Sequence, residues 1–306
     1  MEDVTEKTEV VENVEKRQKA SARQHGGLET AFGCPRDFLD NRFVYLVVSS
    51  RARGLSVGVN MNPDRNCDFN CVYCEVDRVA PLRESRLDVE AMALELKKTL
   101  AFVRGGQMRE RAWYHNLPDE LLQLKHVALS GDGEPTISPD FAEAMQAVVH
   151  VRALGGFPTF KLVLITNATG LERPGVQQGL RYLTKSDEIW TKLDGGTQAH
   201  LNKVNRSEVP LEKILSNILL LSRQRPVVIQ SLFPAINHEE PQLEEIEQYA
   251  KRLLELKNAG AQIPLVQIYS ATRPTPNSEC GHLPLRALSR IAQTVRQVTG
   301  LKAEVF

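Results

Sequence analysis

Residues 66–75 read Asn-Cys-Asp-Phe-Asn-Cys-Val-Tyr-Cys-Glu and hold three of the five cysteines of the chain. Cys67, Cys71 and Cys74 are spaced Cys-x3-Cys-x2-Cys, and Tyr73 precedes the last of them. Three thiols cannot all pair as disulfides, and a structural zinc site usually takes four ligands in two spaced pairs. Three thiolates on a short loop suit a 4Fe-4S cluster in which one iron stays open. The spacing therefore favours an iron-sulfur cluster, with zinc as the alternative.

The composition is that of an ordinary globular chain. Of its 306 residues 42% are hydrophobic and 25% are charged, which allows one large or two modest domains. The 38 basic and 38 acidic residues balance, so the net charge indicates neither a nucleic-acid partner nor an anionic membrane surface. No apolar run approaches the ~18 residues of a membrane span, and the N-terminus lacks an apolar signal core. We expect a cytoplasmic protein without a membrane partner, whose exposed thiols stay reduced.

The chain divides into a tail and one domain. Residues 1–25 are charged and carry few apolar side chains, which predicts a disordered tail. Residues 26–306 form the domain, which alternates strands with helices. One predicted helix is capped by Asp88, and another opens at residues 138–140 with Pro139 at its first helical position. Strands are predicted over residues 43–48, 55–61, 126–129, 161–166, 188–193, 227–232 and 265–269.

The last six strands, each followed by a helix, decide the fold class. Repeated strand–helix units of this kind form a parallel sheet whose outer side is covered by helices. We therefore predict an α/β fold, a partial (β/α)6 TIM-like barrel with parallel strands and helices outside. A doubly wound flat sheet is the alternative, because periodicity alone does not separate the two.

Polar side chains follow the predicted strands, where parallel α/β folds collect their ligands. After the predicted strand over residues 126–129, Gly131 and Gly133 flank Asp132 and allow a close approach of the backbone to a ligand. Glu134 can accept hydrogen bonds from an ammonium group or cap the next helix. Asn167 and Asp194 can bind hydroxyls or an amine, or act as caps.

Further candidates have equally open roles. Lys192 points a cation at the rim or into solvent, and Arg273 clamps a carboxylate or phosphate or forms a structural pair. Residues 105–118 form either a lid over the substrate or a plain surface loop. Cys34 and Cys280 are isolated, so we expect structural thiols and no auxiliary cluster. The candidates for choosing the substrate are Trp113, Tyr114, His115, Gln230, Tyr269 and Arg273.

These residues carry a resemblance to a known family. The cysteine loop resembles that of radical S-adenosylmethionine (SAM) enzymes, because Cys67, Cys71, Tyr73 and Cys74 match its pattern without departure. Residues 49–60 and 130–136 are similar to a poorly characterised subgroup related to the tRNA wyosine-base synthases. The resemblance covers roughly residues 51–273.

The resemblance implies a partial barrel, a 4Fe-4S cluster held by the three cysteines, and SAM bound to the open iron. It implies reductive cleavage of SAM to a 5′-deoxyadenosyl radical that abstracts a substrate hydrogen. Gly131, Gly133 and Glu134 match the motif that meets the SAM amino group, with Asp132 replacing the commoner glycine. Backbone near Tyr73 would flank the adenine. Asn167 and Asp194 match ribose or carboxylate contacts more loosely.

The resemblance leaves the substrate and the partners open. It implies a one-electron donor such as flavodoxin or ferredoxin. A tRNA-modifying enzyme and a glycyl-radical-activating enzyme are alternatives within the superfamily, and the neutral charge counts against tRNA. A zinc-stabilised binding module is the non-enzyme alternative.

Overall fold

The computed structural model describes residues 37–272 and 275–306, so the predicted tail over residues 1–25 lies outside the described part. Eight strands form one sheet in the order β1-β2-β3-β4-β5-β6-β8-β10, and β7 pairs with β9 in a small separate ribbon. The strands are β1 (Val44–Ser49), β2 (Gly54–Asn60), β3 (Leu124–Ser130), β4 (Lys161–Thr166), β5 (Glu188–Lys192), β6 (Val228–Leu232), β7 (Ala235–Ile236), β8 (Val266–Tyr269), β9 (Cys280–Gly281) and β10 (Ala303–Val305).

Helices follow the strands along the chain. Short 3-10 turns lie at Phe38–Asp40, Gln107–Glu110 and Pro135–Ile137. The α-helices are α1 (Val89–Arg104), α2 (Asp119–Leu122), α3 (Phe141–Ala153), α4 (Pro174–Leu180), α5 (Gln198–Val204), α6 (Leu211–Ser222), α7 (Leu243–Asn258) and α8 (Leu285–Thr299). No helix within the described ranges is long and apolar enough to cross a membrane.

The sheet confirms the predicted fold class. Strands β2, β3, β4, β5, β6 and β8 are parallel neighbours, and they curl into a half-barrel with the helices around it. Two edge strands were not predicted as such. β1 pairs antiparallel with β2 through a tight hairpin, and β10 adds a parallel strand beside β8. Three residues of β10 are too few for a periodic signal, so only the packing of the C-terminus reveals it.

The two faces of the sheet differ in character. Val127, Ile189 and Ile268 lie on the outer face, in the main hydrophobic core that the helices cover. Because side chains alternate along a strand, their neighbours point to the concave face. The concave face carries the more polar set of His126, Trp190, Lys192, Gln230, Gln267 and Tyr269. The hollow of the half-barrel is therefore lined by groups capable of binding.

Of the two helix starts predicted from the sequence, one is correct and one is wrong. Asp88 caps α1 as predicted, since its side chain accepts a hydrogen bond from the Ala91 N–H at 2.9 Å. The helix predicted to open at residues 138–140 instead begins at Phe141, so Pro139 does not occupy the first helical position. Asp140 makes no capping bond and pairs with Arg86 at 2.7 Å instead. An ion pair distant in sequence thus displaced the local capping role.

A buried ion pair ties α3 to the strands beneath it. The Asp187 side chain is fully buried and accepts two hydrogen bonds from Arg152, at 2.6 and 3.1 Å. It also accepts from the backbone N–H groups of Leu162 and Thr184, at 2.8 and 2.7 Å. Burial by itself raises the pKa of Asp187, but these hydrogen bonds outweigh burial and hold the pKa below its usual value.

We predict that Asp187→Asn lowers the free energy of unfolding by about 3 kcal/mol, because it leaves the Arg152 charge without its partner. The measurement is urea denaturation followed by circular dichroism. A carboxyl group whose pKa is lower in the folded than in the unfolded state stabilises the protein at pH values above the unfolded pKa of ~4. This stabilisation disappears as the pH falls through the folded-state pKa. The difference between variant and wild type is therefore full at neutral pH and shrinks in acid.

The matched control is Glu240→Gln. Glu240 pairs with Arg290 at 2.8 Å, but both side chains are largely exposed, so the loss is expected to stay below about 1 kcal/mol. Equal losses for the two variants would contradict the role assigned to Asp187.

Candidate active site

The cysteine loop follows β2 and is held by hydrogen bonds to the region after α5. The backbone N–H groups of Asn70 and Val72 donate to the carbonyl oxygens of Asn205 and Val204, at 2.9 and 2.8 Å. Val72 is buried in a small apolar cluster with Val204 and Ile236. These contacts fix the middle of the loop at the carboxyl end of the barrel.

The three thiols of the loop are free and only partly exposed. Asn205 Nδ2 lies 3.3 Å from Cys71 Sγ, and the Phe69 N–H lies 3.4 Å from Cys67 Sγ. Burial raises the pKa of Cys67 to about 12 and that of Cys71 to about 11, so a metal must displace a proton from each thiol on binding. N–H donors aimed at sulfur are the contacts that tune iron-sulfur clusters. The donor set therefore fits the predicted cluster.

The described ranges contain no group of three His, Cys, Asp or Glu side chains close enough to hold one metal ion. Cys280 lies near the loop, because it packs on the same apolar cluster as Tyr73. Cys34 lies outside the described residues.

The glycine loop after β3 packs directly on the cysteine loop. The Glu134 N–H donates to the Asn66 carbonyl at 2.9 Å. A Cβ added to Gly133 would lie 1.9 Å from that same carbonyl oxygen, so only glycine permits this approach. At the start of the loop, Asn60 Nδ2 donates to the Asp132 carboxylate at 2.9 Å, and Asn60 Oδ1 accepts from the Asp132 N–H at 3.0 Å. A Cβ on Gly131 would meet Asn60 Oδ1 at 2.4 Å.

Glu134 is buried and its carboxylate is taken up by the protein itself. It accepts from Thr136 N–H at 3.0 Å, from the Thr136 hydroxyl at 2.6 Å and from Asn167 N–H at 2.7 Å, and it also accepts from the Thr166 hydroxyl. Burial raises the pKa of Glu134, and these hydrogen bonds oppose that rise only in part. The side chain caps the 3-10 turn at Pro135–Ile137, which is the capping alternative of the sequence analysis.

Asn167 joins the end of β4 to the cysteine loop. Its Nδ2 donates to Asp68 Oδ1 at 2.7 Å, and its Oδ1 accepts from the Thr169 N–H and hydroxyl at 3.0 and 2.8 Å. The side chain is buried and its polar atoms have protein partners. Its observed contacts therefore position the loop.

Asp194 is the centre of a buried polar cluster. Its carboxylate pairs with Lys192 Nζ at 2.9 Å and accepts from the Leu232 N–H at 2.8 Å. It also accepts from Asn205 Nδ2 at 2.7 Å and from the Tyr73 hydroxyl. Because Asn205 also reaches Cys71, this cluster connects β5 to a sulfur of the cysteine loop.

The charges in this cluster change the pKa values of its members. Burial, followed by the negative charge of Asp194, raises the pKa of the Tyr73 hydroxyl well above its usual value. Burial alone lowers the pKa of Lys192, but attraction to Asp194 and Tyr269 outweighs burial and raises it. Lys192 is therefore a protonated, largely buried cation rather than the solvent-exposed group that was the alternative.

The other candidates fall in different places. Tyr114 is fully buried in the main core, whereas Trp113 is 57% exposed. His115 is exposed and lies against the Arg109 carbonyl at 3.2 Å. Gln230 and Tyr269 lie on the concave face, and Arg273 is outside the described residues.

Asn205 and Asp68 are site residues that the sequence analysis missed. Asn205 follows α5 directly, where a helix C-cap is the ordinary interpretation. Asp68 sits inside the cysteine spacing, but its partner Asn167 is about 100 residues away along the chain. No local sequence pattern predicts the contact of Asn205 with Cys71 or that of Asp68 with Asn167.

Comparison with solved structures confirms the class of fold. A radical SAM methyltransferase from Sphaerobacter thermophilus superposes with a TM-score of 0.59 and 17% identity, over 86% of this chain and 68% of that one. Streptococcus suis SuiB, solved with S-adenosylmethionine bound, matches at 0.54 and 15%, over 80% and 49% of the two chains. TYW1 with a lysine-pyruvate adduct matches at 0.53 and 14%, over 83% and 84%. The chain thus has the fold of radical SAM enzymes, as its resemblance predicted.

Curated relatives match over a shorter span. A UPF0026 protein of Synechocystis is 30% identical over 179 residues, covering 57% of each chain. A UPF0026 protein of Helicobacter pylori is 27% identical over 184 residues, covering 59% of this chain and 52% of its own. The chain therefore spans about half the length of the curated relatives that it matches. No protein-family model matches the chain.

We predict that Gly133→Ala destabilises the protein by about 2 kcal/mol or more, because its methyl group must push the glycine loop off the Asn66 carbonyl. The control is Gly175→Ala in α4, where an added Cβ meets nothing within 4 Å and a change below about 0.5 kcal/mol is expected. The melting temperatures of the two variants are measured by thermal unfolding. Similar melting temperatures would refute the close packing of the glycine loop on the cysteine loop.

We predict that Asp194→Asn costs about 3 kcal/mol of stability, because it leaves the Lys192 cation buried without a counter-charge. Adding Lys192→Met removes that stranded charge, so the double variant should lose less than the sum of the two single losses. Denaturant unfolding of all four proteins measures the coupling. Strictly additive losses would show that the two side chains do not depend on each other.

Proposed function

We propose that this chain is a radical SAM enzyme that binds a 4Fe-4S cluster through Cys67, Cys71 and Cys74 and reductively cleaves SAM. The observation that carries the proposal is the set of three free thiols on one anchored loop, with N–H donors at two of the sulfurs. That loop follows the first parallel strand of a half-barrel with the fold of radical SAM enzymes. When bound, the cluster and SAM supply a 5′-deoxyadenosyl radical for hydrogen abstraction from the substrate.

The chain's own residues would hold and orient these groups. The three sulfurs are the ligands, and Asn205 and the Phe69 N–H donate to Cys71 and Cys67. The glycine loop lies against the cysteine loop, which supports our proposal that its main chain meets the SAM amino group. Because the Glu134 carboxylate is already taken up by four protein donors, we assign it the role of holding that main chain in place.

Asn167 and Asp194 act through the loop that they hold. Asn167 fixes Asp68 beside Cys67, and Asp194 fixes Tyr73 beside Cys74. We assign both as positioning residues, and the backbone near Tyr73 as the part that flanks the adenine. A shift of the loop by one ångström would misplace bound SAM, since catalytic groups act only within a narrow range of geometry.

The proposed reaction needs one electron from outside the chain. We propose a small donor protein such as flavodoxin or ferredoxin. The cysteine loop supports this, because its thiols are partly exposed and Glu75, directly after Cys74, is on the surface. A donor could therefore approach the cluster from the side of this loop.

We predict that anaerobic reconstitution loads about four irons per wild-type chain, and that dithionite with SAM then yields 5′-deoxyadenosine. Cys71→Ala should lose the iron and the product, because one ligand of three is gone. Cys280→Ala should keep both, since it lies outside the loop. Metal analysis and chromatography of the reaction mixture give the readouts.

Zinc in place of iron after anaerobic purification would support the zinc-stabilised module and overturn the proposal. Iron loading without any 5′-deoxyadenosine would overturn the SAM chemistry while keeping the cluster. Loss of iron in Cys280→Ala would show that a fourth thiol takes part.

A further inference from the structure

Arg51 lies in the tight turn between β1 and β2, at one edge of the sheet, but its side chain reaches across the hollow of the half-barrel. Its guanidinium carbon stands 4.3 Å from the ring centroid of Tyr269, on β8 near the opposite edge. Tyr269 also receives Lys192, whose Nζ lies 2.9 Å from the phenol oxygen. Two cations thus approach one aromatic ring on the concave face.

The two cations differ in their partners. Lys192 is neutralised by Asp194 at 2.9 Å. Arg51 makes no hydrogen bond and no ion pair within the described residues, and its Nε is buried without a partner. Arg51 is partly buried, and a guanidinium that is partly removed from water without an anion destabilises a protein unless something else binds it. The neighbouring Arg53 shows the contrast, since it lies on the surface and pairs with Glu304 at 3.3 Å.

The groups around Arg51 do not supply the missing charge. His126 lies near Arg51, and its ring is neutral because burial lowers its pKa to about 4. The Glu188 charge opposes this shift, and the Arg51 charge adds to it. Trp190 packs edge-on against His126 at 5.4 Å. Glu188, the first residue of β5, is paired with Lys161 at 2.7 Å. Among the residues that the structure describes, Arg51 is therefore a cation on the concave face without an ion-pair partner, and its guanidinium lies against the Tyr269 ring.

We propose that Arg51 binds an anionic group of the substrate, a carboxylate or a phosphate, inside the hollow of the half-barrel. The planar fork of a guanidinium matches either oxyanion in a bidentate way, and the Tyr269 ring holds that fork in place. The amides of Gln230 and Gln267, hydrogen-bonded to each other at 3.2 Å, lie on the same face and add polar contacts. Calling the ligand a substrate rests on the proposed function, whereas the anion site stands on its own.

The alternative is that Arg51 only straps the edges of the sheet together through Tyr269. A strap predicts a loss of stability on substitution but no anion binding. Anion binding by the wild-type protein therefore separates the two roles. Trp190 is a convenient reporter, because it is one of only two tryptophans and the other, Trp113, can be replaced by phenylalanine.

The experiment titrates inorganic phosphate and acetate separately into the full chain carrying Trp113→Phe, at constant ionic strength, and follows Trp190 fluorescence. We expect saturation by at least one anion, and the anion that saturates at the lower concentration identifies the group. Arg51→Met should raise the half-saturating concentration about tenfold or more, with Arg51→Lys between it and the wild type. Arg53→Met, two residues away, should stay within about twofold.

Three results would overturn the proposal: no saturation by either anion up to about 100 mM, an unchanged response in Arg51→Met, or an equal loss in Arg53→Met. Circular dichroism shows whether each variant is folded. If Arg51→Met does not fold, Arg51→Lys decides, because it keeps the charge but loses the fork, and an unchanged response in it overturns the bidentate site.

The same protein preparations distinguish this failure from failure of the proposed function. Phosphate or acetate binding without 5′-deoxyadenosine formation would refute the SAM chemistry and leave the anion site. SAM cleavage without anion binding would refute the anion site alone.

Discussion

The geometry of the site depends on the hydrogen bonds and the ion pair of one buried carboxylate, that of Asp194. It pairs with Lys192 on β5 and accepts from the Leu232 N–H at the end of β6. It also accepts from Tyr73 of the cysteine loop and from Asn205, which reaches Cys71. A carboxylate out of water must have its lone pairs satisfied, so its partners are drawn to fixed positions. The position of a cysteine sulfur is thereby set by residues far from it in the sequence.

Glu134 repeats this arrangement on the other side of the site. It ties the end of β3 to the end of β4 through Thr166 and Asn167, and Asn167 in turn binds Asp68. The acidic and amide side chains at the rim are thus used mainly to hold strand-end loops against one another. Under the proposed function, contacts with the cofactors fall to the three sulfurs and to the main chain of the glycine loop.

The described side chains of the concave face, unlike those at the rim, are not all engaged with protein partners. On β2, Gly58 has no side chain, and the space is taken by the Tyr45 ring across the hairpin. The concave face also carries aromatic rings, two paired amides and Arg51, which has no ion-pair partner among the described residues. Such a surface binds a small polar ligand better than it packs against protein, because it combines π faces with groups that still need partners. We propose that the anionic substrate lies here.

The sequence by itself determined the class of fold and the place of the site. Strand and helix periodicity predicted a parallel sheet covered by helices, and the resemblance of the cysteine loop implied the half-barrel rather than a doubly wound sheet. The cysteine spacing and the two glycines located the loops, because these signals are local. Only the tertiary structure decided what the side chains do. Glu134 and Asn167 proved to be engaged with the protein, Lys192 is buried beside Asp194, and the Arg51 side chain turns inward from the hairpin between β1 and β2. Apart from Asp194, which is two residues from Lys192, these partners lie from 33 to more than 200 residues away, so their contacts follow from the curl of the sheet and from no local pattern.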